Sequence, residues 1–326
     1  MQIYLLLTER CNLNCKMCIR GHKHSYELTL NMLDNIKGIQ EFQNHDIVIT
    51  GGEPTLCHDF EKIVHRLADI AKTVSICSNG MNDFFVHEDF FKSNMRVQIS
   101  LDGTEYAHDL IRGKGTYQKI INTITKLDNL SVPYIVATVV SRKNVSSMLK
   151  LADTLSNFKK MQYWTISYEM PFGNASFENM MTAEEWNLFA DKMLEYVDFR
   201  MKIQKLFSFD LFVKYKDKLD GMFTDKSCVN CGSGRDKIYI YPDLNVYPCT
   251  CLTDFCLGNI KENALSQILT GANALKFTNY SVQDDSICKE CEFLKYCNGG
   301  CVGMSYNYFK ELGRGDIRCP KLKVKL

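Results

Sequence analysis

The chain has no excess of charge of either sign: 39 Lys and Arg face 38 Asp and Glu, for a formal net charge of +1 over 326 residues. No block of basic residues stands out, which argues against nucleic acid as a partner. The first residues lack the charged, apolar and small-residue succession of a secretory signal. No apolar run approaches the roughly 20 residues of a membrane span, and there is no repeat or low-complexity stretch. These absences point to a soluble cytoplasmic protein that binds no membrane. Hydrophobic residues make up 45% of the chain, enough for a proper core, and the length suggests about two domains of ~150 residues each.

What the chain has in abundance is cysteine. Fifteen cysteines without a secretion signal point to metal or catalysis rather than disulfides. Three stand at residues 11 to 18. Only Cys57 and Cys77 follow before residue 228, and the last ten lie between Cys228 and Cys319. Two metal-bearing regions joined by an ordinary globular stretch are expected. Cys57 and Cys77 have no neighbouring cysteine and read as core residues, as do Trp164 and Trp186.

The first region alternates short apolar runs with amphipathic stretches. Strands are predicted at Ile3–Leu7, Ile47–Ile49, Thr73–Cys77, Val97–Leu101, Tyr134–Val140 and Tyr163–Ile166. Helical stretches are predicted at Leu30–Phe42, Phe60–Ala71, Tyr117–Leu130 and Val145–Phe158. The alternation is that of parallel strands with crossover helices, an α/β fold whose six units make an open, partial (β/α)6 barrel. Sites in such barrels lie at the C-terminal ends of the strands. Residues 170–227 form a bridge in which Thr182 and Glu185 cap a helical segment predicted to run to about Lys205. Residues 1–206 are expected to form the barrel with the start of this bridge helix, and 207–326 the rest of the bridge and a cysteine-rich domain.

Chemistry concentrates at the strand ends. Directly after the first strand comes Cys11-Asn-Leu-Asn-Cys15-Lys-Met-Cys18. Three thiolates can hold three corners of a [4Fe–4S] cubane and leave the fourth iron open; zinc sites usually close with four ligands. After the second strand stands Thr50-Gly51-Gly52-Glu53-Pro54. Its glycines let backbone approach a ligand closely, Pro54 fixes the exit and Glu53 can accept from an ammonium group. After the third strand, Ser78-Asn79-Gly80 reads first as a turn. After the fourth come Ser100-Leu101-Asp102-Gly103, then His108-Asp109 and Arg112. Arg112 is suited to a carboxylate partner or, equally, to a structural salt bridge. His22, His24 and His108 show no metal spacing and read as surface or loop residues.

The cysteine triplet resembles the motif of the radical S-adenosylmethionine (SAM) enzymes, whose open iron binds the amino and carboxylate groups of the methionine moiety. The reduced cluster then cleaves the sulfonium to a 5′-deoxyadenosyl radical, the protein supplying binding, orientation and exclusion of side reactions. The resemblance makes Cys11, Cys15 and Cys18 the catalytic cluster ligands. Met17 stands where the family often has an aromatic residue near the adenine, so looser packing is expected there. The Gly51–Pro54 loop resembles the family's GGEP motif, which holds the cofactor's amino group, with Ser78 and Asn79 beside it. The S-L-D-G and H-D-x-x-R patterns resemble its peptide-modifying branch and place Ser100 and Asp102 toward the cofactor's ribose and carboxylate, with Arg112.

The C-terminal cysteines follow Cys288-x2-Cys291-x5-Cys297-x3-Cys301 and then Cys319, with Cys228, Cys231 and Cys249 upstream. Residues 238–249 read as a hairpin turning at Pro242–Asn245. This resembles the SPASM extension of peptide- and protein-maturing radical enzymes, with one departure: Leu244 occupies the place of a turn glycine. Zinc binds C-x2-C pairs readily, but beside the upstream triplet two further iron–sulfur clusters are expected. The resemblance assigns Cys228, Cys231, Cys249 and Cys301 to one auxiliary [4Fe–4S] cluster and Cys288, Cys291, Cys297 and Cys319 to another. Eleven ligands for three clusters leave Cys57, Cys77, Cys251 and Cys256. Cys251 or Cys256 can replace Cys228 or serve as a free thiol near the site.

The expected function is radical modification of a ribosomally made precursor peptide: hydrogen abstraction, then oxidative formation of a crosslink, carbon–carbon or carbon–heteroatom bond. Reduction would come from a flavodoxin- or ferredoxin-type donor under anaerobic conditions. Anaerobic sulfatase maturation is the enzymatic alternative, but those relatives carry an acid after the hairpin cysteine, where this chain has Thr250. A small-molecule dehydrogenase and a non-catalytic iron–sulfur redox sensor complete the alternatives. The chain opens at the first strand with no winged-helix module ahead of it, so leader binding is expected to use the barrel, the bridge or a separate protein, or to be absent.

Overall fold

The computed structural model describes residues 1–21, 26–84, 90–222, 231–282 and 285–324. Its frame is one sheet. The strands are β1 (Gln2–Thr8), β2 (Asp46–Gly51), β3 (Thr73–Ser78), β4 (Met95–Ser100), β5 (Tyr134–Val140), β6 (Met161–Tyr168), β7 (Met201–Ile203), β8 (Lys237–Ile240), β9 (Asn245–Tyr247) and β10 (Gly258–Asn259). Their spatial order is β10-β9-β8-β1-β2-β3-β4-β5-β6-β7. From β1 to β7 every pairing is parallel. The sheet ends at β7 and β10 without closing on itself, which gives the expected partial barrel.

Helices cover one face of the parallel strands: α1 (Leu30–Asp34), α2 (Phe60–Ile70), α3 (Glu105–Arg112), α4 (Thr116–Asn129), α5 (Met148–Leu155) and α6 (Ala183–Tyr196). Phe60, Ile63, Val64, Leu67 and Ala68 of α2 are all buried, the spacing of one apolar helix face. The strands sort their two faces by polarity. On β4, Met95, Val97 and Ile99 are buried under the helices, while Arg96, Gln98 and Ser100 alternate with them. The polar set points into the barrel. A closed barrel usually fills that space with branched apolar side chains; here it stays open and wet enough for a ligand.

Three sequence expectations shift. The predicted helix Leu30–Phe42 breaks into α1 and a short 3-10 turn, Ile39–Asn44, because Gly38 takes a left-handed conformation (φ 69°) between them. The segment after Thr182 does not stay helical to Lys205. Thr182 and Glu185 form the expected capping box, but α6 stops at Tyr196 and Met201–Ile203 pairs with Trp164–Ile166 as a seventh parallel strand. Phe199 stacks on the buried Trp164 and the Trp186 indole donates to the Gln204 carbonyl, so tertiary contacts override local helix preference. Helix α3 is an addition to the predicted elements.

The hairpin β8–β9 turns where expected, with the Leu244 N–H donating to the Tyr241 carbonyl. It also joins the barrel: β8 runs parallel to β1, with Ile3 opposite Ile238 and Leu5 opposite Ile240. Leu244 holds the left-handed conformation (φ 66°) that favours glycine, and its side chain is buried. Among the described residues no helix is long and apolar enough to cross a membrane.

Candidate functional site at the strand ends

The cysteine triplet is braced by its own neighbours. Gly52 N donates to the Thr8 carbonyl and Glu53 N to the Arg10 carbonyl, both at 2.8 Å. A Cβ on Gly52 would lie 2.2 Å from the Arg10 carbonyl oxygen, and one on Gly51 2.3 Å from that of Thr8. The two glycines therefore permit close approach of this loop to the chain leading into Cys11, where the sequence suggested approach to a ligand. Arg10 ties the same segment to Glu27 and to the Leu56 carbonyl. On the far side Asn174, after β6, donates from its backbone to the Cys18 carbonyl (2.9 Å) and from its amide to that of Cys15 (3.0 Å).

Glu53 turns inward from the cavity lining. It is buried, and its carboxylate accepts from the Ser78 hydroxyl (2.9 Å), the Thr55 hydroxyl (2.7 Å) and the Asn79 N–H (2.7 Å). Burial pushes its carboxyl up, against these donors. Its role is to lock the loop after β2 to the end of β3. Asn79, so placed, donates to the Asn12 side chain (2.8 Å) and to the Cys11 sulfur (3.8 Å). Donors to cluster sulfurs are among the levers that set reduction potential.

Arg112 and Asp102 form a buried ion pair. The second Asp102 oxygen accepts from Val139 N (2.8 Å), so this carboxylate lies behind Arg112 rather than on the cavity wall where the sequence placed it. Arg112 extends a donor to the Cys15 sulfur at 4.0 Å. Burial works against the guanidinium charge, but Asp102 and the neighbouring thiols hold it above its ordinary value. His108 is no surface residue: it is fully buried on α3, and its Nδ1 accepts from Asp102 N (3.0 Å). Burial pushes its pKa down to about 4. His22 and His24 lie outside the described residues.

These groups surround an open cavity. Cys11, Cys15, Met17, Cys18, Gly51, Gly52, Ser78, Asn79, Ser100 and Arg112 line its barrel side. Cys231, Cys249, Cys251, Cys297 and Cys301 line the same cavity. Cys77, expected in the core, also reaches this wall, whereas Cys57 is buried and bonded to the Leu28 carbonyl. Asp102, Glu53 and Pro54 lie behind the wall, buried. Cys251 sits beside Cys249: its N–H donates to the Cys249 sulfur (3.4 Å), and hydrogen bonding from the Cys251 thiol pushes Cys249 down to about 6. Cys256 points instead to the Gly258 carbonyl. Cys228 lies outside the described residues.

Cys288, Cys291, Cys297 and Cys319 line a second, smaller pocket, walled by Phe207, Phe209, Leu294 and Leu322. Burial, then the charge of Asp285 and of the neighbouring cysteines, pushes Cys288 up to about 12; burial and the neighbouring cysteines raise Cys297 to about 11. Sulfurs crowded this way stay protonated until a cation replaces the protons. Among the described residues no three His, Cys, Asp or Glu converge on a single-ion site. The sulfurs line cavities instead, as ligands to a cluster several ångströms across do. The donor sets at all three places fit iron–sulfur clusters.

Sequence reasoning passed over Arg20 and Tyr241. The Arg20 Nε donates to the Gly51 carbonyl (3.1 Å) and Nη1 to the Tyr241 hydroxyl (3.2 Å). An arginine two residues beyond the triplet was the available signal; its contact with a hairpin more than two hundred residues away was not.

Residues 5–155 match the Radical SAM superfamily and residues 231–292 the SPASM iron–sulfur cluster-binding domain. A cysteine-type anaerobic sulfatase-maturating enzyme of Clostridium novyi is 29% identical over 97% of this chain and 91% of its own length. The sporulation killing factor maturation protein SkfB of Bacillus subtilis is 28% identical over 83% of this chain and 65% of its own. In fold, SuiB of Streptococcus suis bound to S-adenosylmethionine superposes with a TM-score of 0.79 at 15% identity, covering 98% of this chain and 77% of SuiB. SuiB bound to its precursor peptide SuiA gives 0.78 at 15% identity over 99% and 76%. With its three-cysteine loop, its partial barrel and its cysteine-rich C-terminal cavity, the chain carries a radical SAM superfamily domain at residues 5–155 and a SPASM iron–sulfur cluster-binding domain at residues 231–292.

Proposed function

We propose that the protein modifies a ribosomally made precursor peptide by hydrogen abstraction followed by oxidative bond formation. The observation that carries this reading is the single cavity lined both by the three-cysteine site and by the SPASM cysteines. A substrate held in it can lose a hydrogen near the one and an electron to the other. A relative named as a sporulation killing factor maturation protein supports the substrate class.

The bound cluster and S-adenosylmethionine would supply a 5′-deoxyadenosyl radical. The chain's own residues do the rest. Cys11, Cys15 and Cys18 hold the cluster, and the Gly51-Gly52 backbone and Arg112 stand where the methionine moiety would sit. Met17, Ser78, Asn79 and Ser100 complete that wall. Glu53 and Asp102 act from behind it, through Ser78, Asn79 and Arg112. We assign one auxiliary cluster to Cys231, Cys249 and Cys301, with Cys228 or Cys251 as fourth ligand, and another to Cys288, Cys291, Cys297 and Cys319, making three [4Fe–4S] clusters. The barrel (1–206) and the bridge with the SPASM domain (207–326) would be the two functional parts. A flavodoxin- or ferredoxin-type donor in an anaerobic cytoplasm would supply the reducing electron.

Sulfatase maturation is the second reading, favoured by the 29% identity to the Clostridium novyi enzyme. Removing a proton along with the electron pair calls for a base near the reacting carbon, and Thr250 cannot serve as one at neutral pH. Reconstituted protein is expected to hold about 12 iron per chain and to convert S-adenosylmethionine to 5′-deoxyadenosine. The Cys11/Cys15/Cys18→Ala variant is expected to hold about 8 iron and to be inactive. A sulfatase-motif peptide should yield no aldehyde, while a substrate peptide should become lighter by two hydrogens. Aldehyde trapped by a hydrazine reagent would replace the leading reading with the second.

A further inference from the structure

The charged side chains that line the large cavity are Arg20, Arg112, Lys205, Lys237, Arg318 and Asp316. Arg112 is held by Asp102, Lys205 by Asp191 (2.6 Å) and Arg318 by Asp316 (2.7 Å). Asp316 also accepts from Cys301 N (2.8 Å). Arg20 and Lys237 differ: among the described residues neither has a carboxylate within ion-pair distance, and of the two Arg20 is the one that stands beside the cluster loop and carries a planar fork of donors.

Its surroundings fix it without neutralising it. Nε is committed to the Gly51 carbonyl, Nη1 to the Tyr241 hydroxyl, and the guanidinium lies 5.5 Å from the Tyr241 ring centroid. A guanidinium carries five donors and no acceptor, so the remaining hydrogens on Nη1 and Nη2 are available as an end-on fork for a planar anion. The Tyr241 hydroxyl, which accepts from Arg20, also lies 3.3 Å from Thr250 Oγ1, and either hydroxyl can donate to the other. Where Tyr241 donates, the Thr250 hydroxyl keeps its own hydrogen for a ligand in the cavity that it lines. Arg20 and Thr250 both line the cavity, as does Cys249, and Tyr241 touches both Arg20 and Thr250.

We infer that Arg20, aligned by Tyr241 and assisted by Thr250, binds a carboxylate of the substrate peptide next to the residue that is modified. This rests on the peptide reading above. The carboxylate can be an Asp or Glu side chain or the peptide's C-terminus.

The test uses reconstituted, S-adenosylmethionine-loaded holoenzyme, with retained peptides read by mass spectrometry. One pool consists of N-acetylated, C-terminally amidated hexapeptides, with and without Asp and Glu. A second pool has free C-termini and no acidic side chain. The wild type is expected to enrich acidic side chains at one fixed position, or free C-termini over amides; which pool is enriched identifies the source. Arg20→Gln should cut that preference by about tenfold, the loss of one charge-assisted pair. Arg20→Lys should restore part of it, and Thr250→Val should weaken it. Iron content and affinity for S-adenosylmethionine should stay within about twofold of wild type in all three variants, a margin under ~0.5 kcal/mol.

Peptides retained with no preference for a carboxylate would overturn the assignment and leave the peptide reading standing. Retention of no peptide from either pool would overturn both. A tenfold loss of S-adenosylmethionine affinity in Arg20→Gln, with the peptide preference intact, would give Arg20 to the cofactor instead. Loss of iron in both Arg20 variants would make it a cluster support and likewise overturn the inference.

Discussion

Gly52→Ala should disarm the three-cysteine site while leaving the fold in place. The added Cβ would stand 2.2 Å from the Arg10 carbonyl oxygen, 2.6 Å from its carbon and 2.7 Å from the Glu9 oxygen, all backbone atoms. Comfortable contact begins at about 3.5 Å, so the two segments must part by roughly 1 Å. The bonds Gly52 N to Thr8 O and Glu53 N to Arg10 O, each 2.8 Å, would then exceed hydrogen-bonding distance. Two lost bonds with buried donors left unpaired cost about 3–5 kcal/mol locally. A domain with ~5–15 kcal/mol of stability survives this, but the residue after Arg10 is Cys11. Iron should fall by about four atoms per chain, and 5′-deoxyadenosine formation by at least about a hundredfold, ~2.7 kcal/mol in barrier terms. Gly115→Ala is the control. Its glycine has φ +79° with nothing within 4 Å of the would-be Cβ, so it should cost about 1–2 kcal/mol of strain and leave iron and cleavage unchanged. Iron assay, chromatographic quantification of 5′-deoxyadenosine and thermal unfolding by circular dichroism read the three quantities. Full iron and wild-type cleavage in Gly52→Ala would refute the argument that this glycine seats the cluster loop.

Two further predictions concern stability. Because His108 titrates near 4 when folded and near 6.5 when unfolded, the unfolded chain holds the extra proton between those values. The contribution is therefore complete above pH 6.5 and lost as pH falls toward 4, amounting to about 2 kcal/mol by pH 5; urea unfolding of His108→Asn should show a correspondingly smaller drop between pH 7 and pH 5, and an equal drop would be contrary evidence. Leu244→Gly should relieve about 1–2 kcal/mol of left-handed strain but forfeit roughly 3–5 kcal/mol of buried side chain and cavity. Net destabilisation in urea is expected, and a stabilised variant would mean that strain outweighs packing.

The barrel was legible because its signals are local. Tyr134–Val140 is a run of β-branched and aromatic residues, and the observed strand has those bounds. The α2 face repeats at helical spacing, and the Thr182–Glu185 box announces its helix. The cysteine triplet and the SPASM spacing are likewise fixed by short separations, since a cluster a few ångströms across constrains its nearest ligands to one loop. Where local preference competed with a distant partner, the reading failed: Met201–Ile203 became a strand because Trp164–Ile166 offered an edge to pair with.

The residue types that carry the chemistry were therefore determined by the sequence alone: which cysteines, which loop glycines, and threonine after Cys249. Which way they face was decided only in three dimensions. Glu53 and Asp102 read as ligand contacts from motif position, yet both turn inward. A buried carboxylate must collect donors or lose its charge, and Ser78, Asn79, Val139 and Arg112 supply them. Arg20 read as nothing in particular. It becomes a cavity cation because β8 adds to β1 and carries Tyr241 across to it. That pairing joins residues more than two hundred positions apart through backbone hydrogen bonds, and backbone hydrogen bonds leave no mark on side-chain spacing.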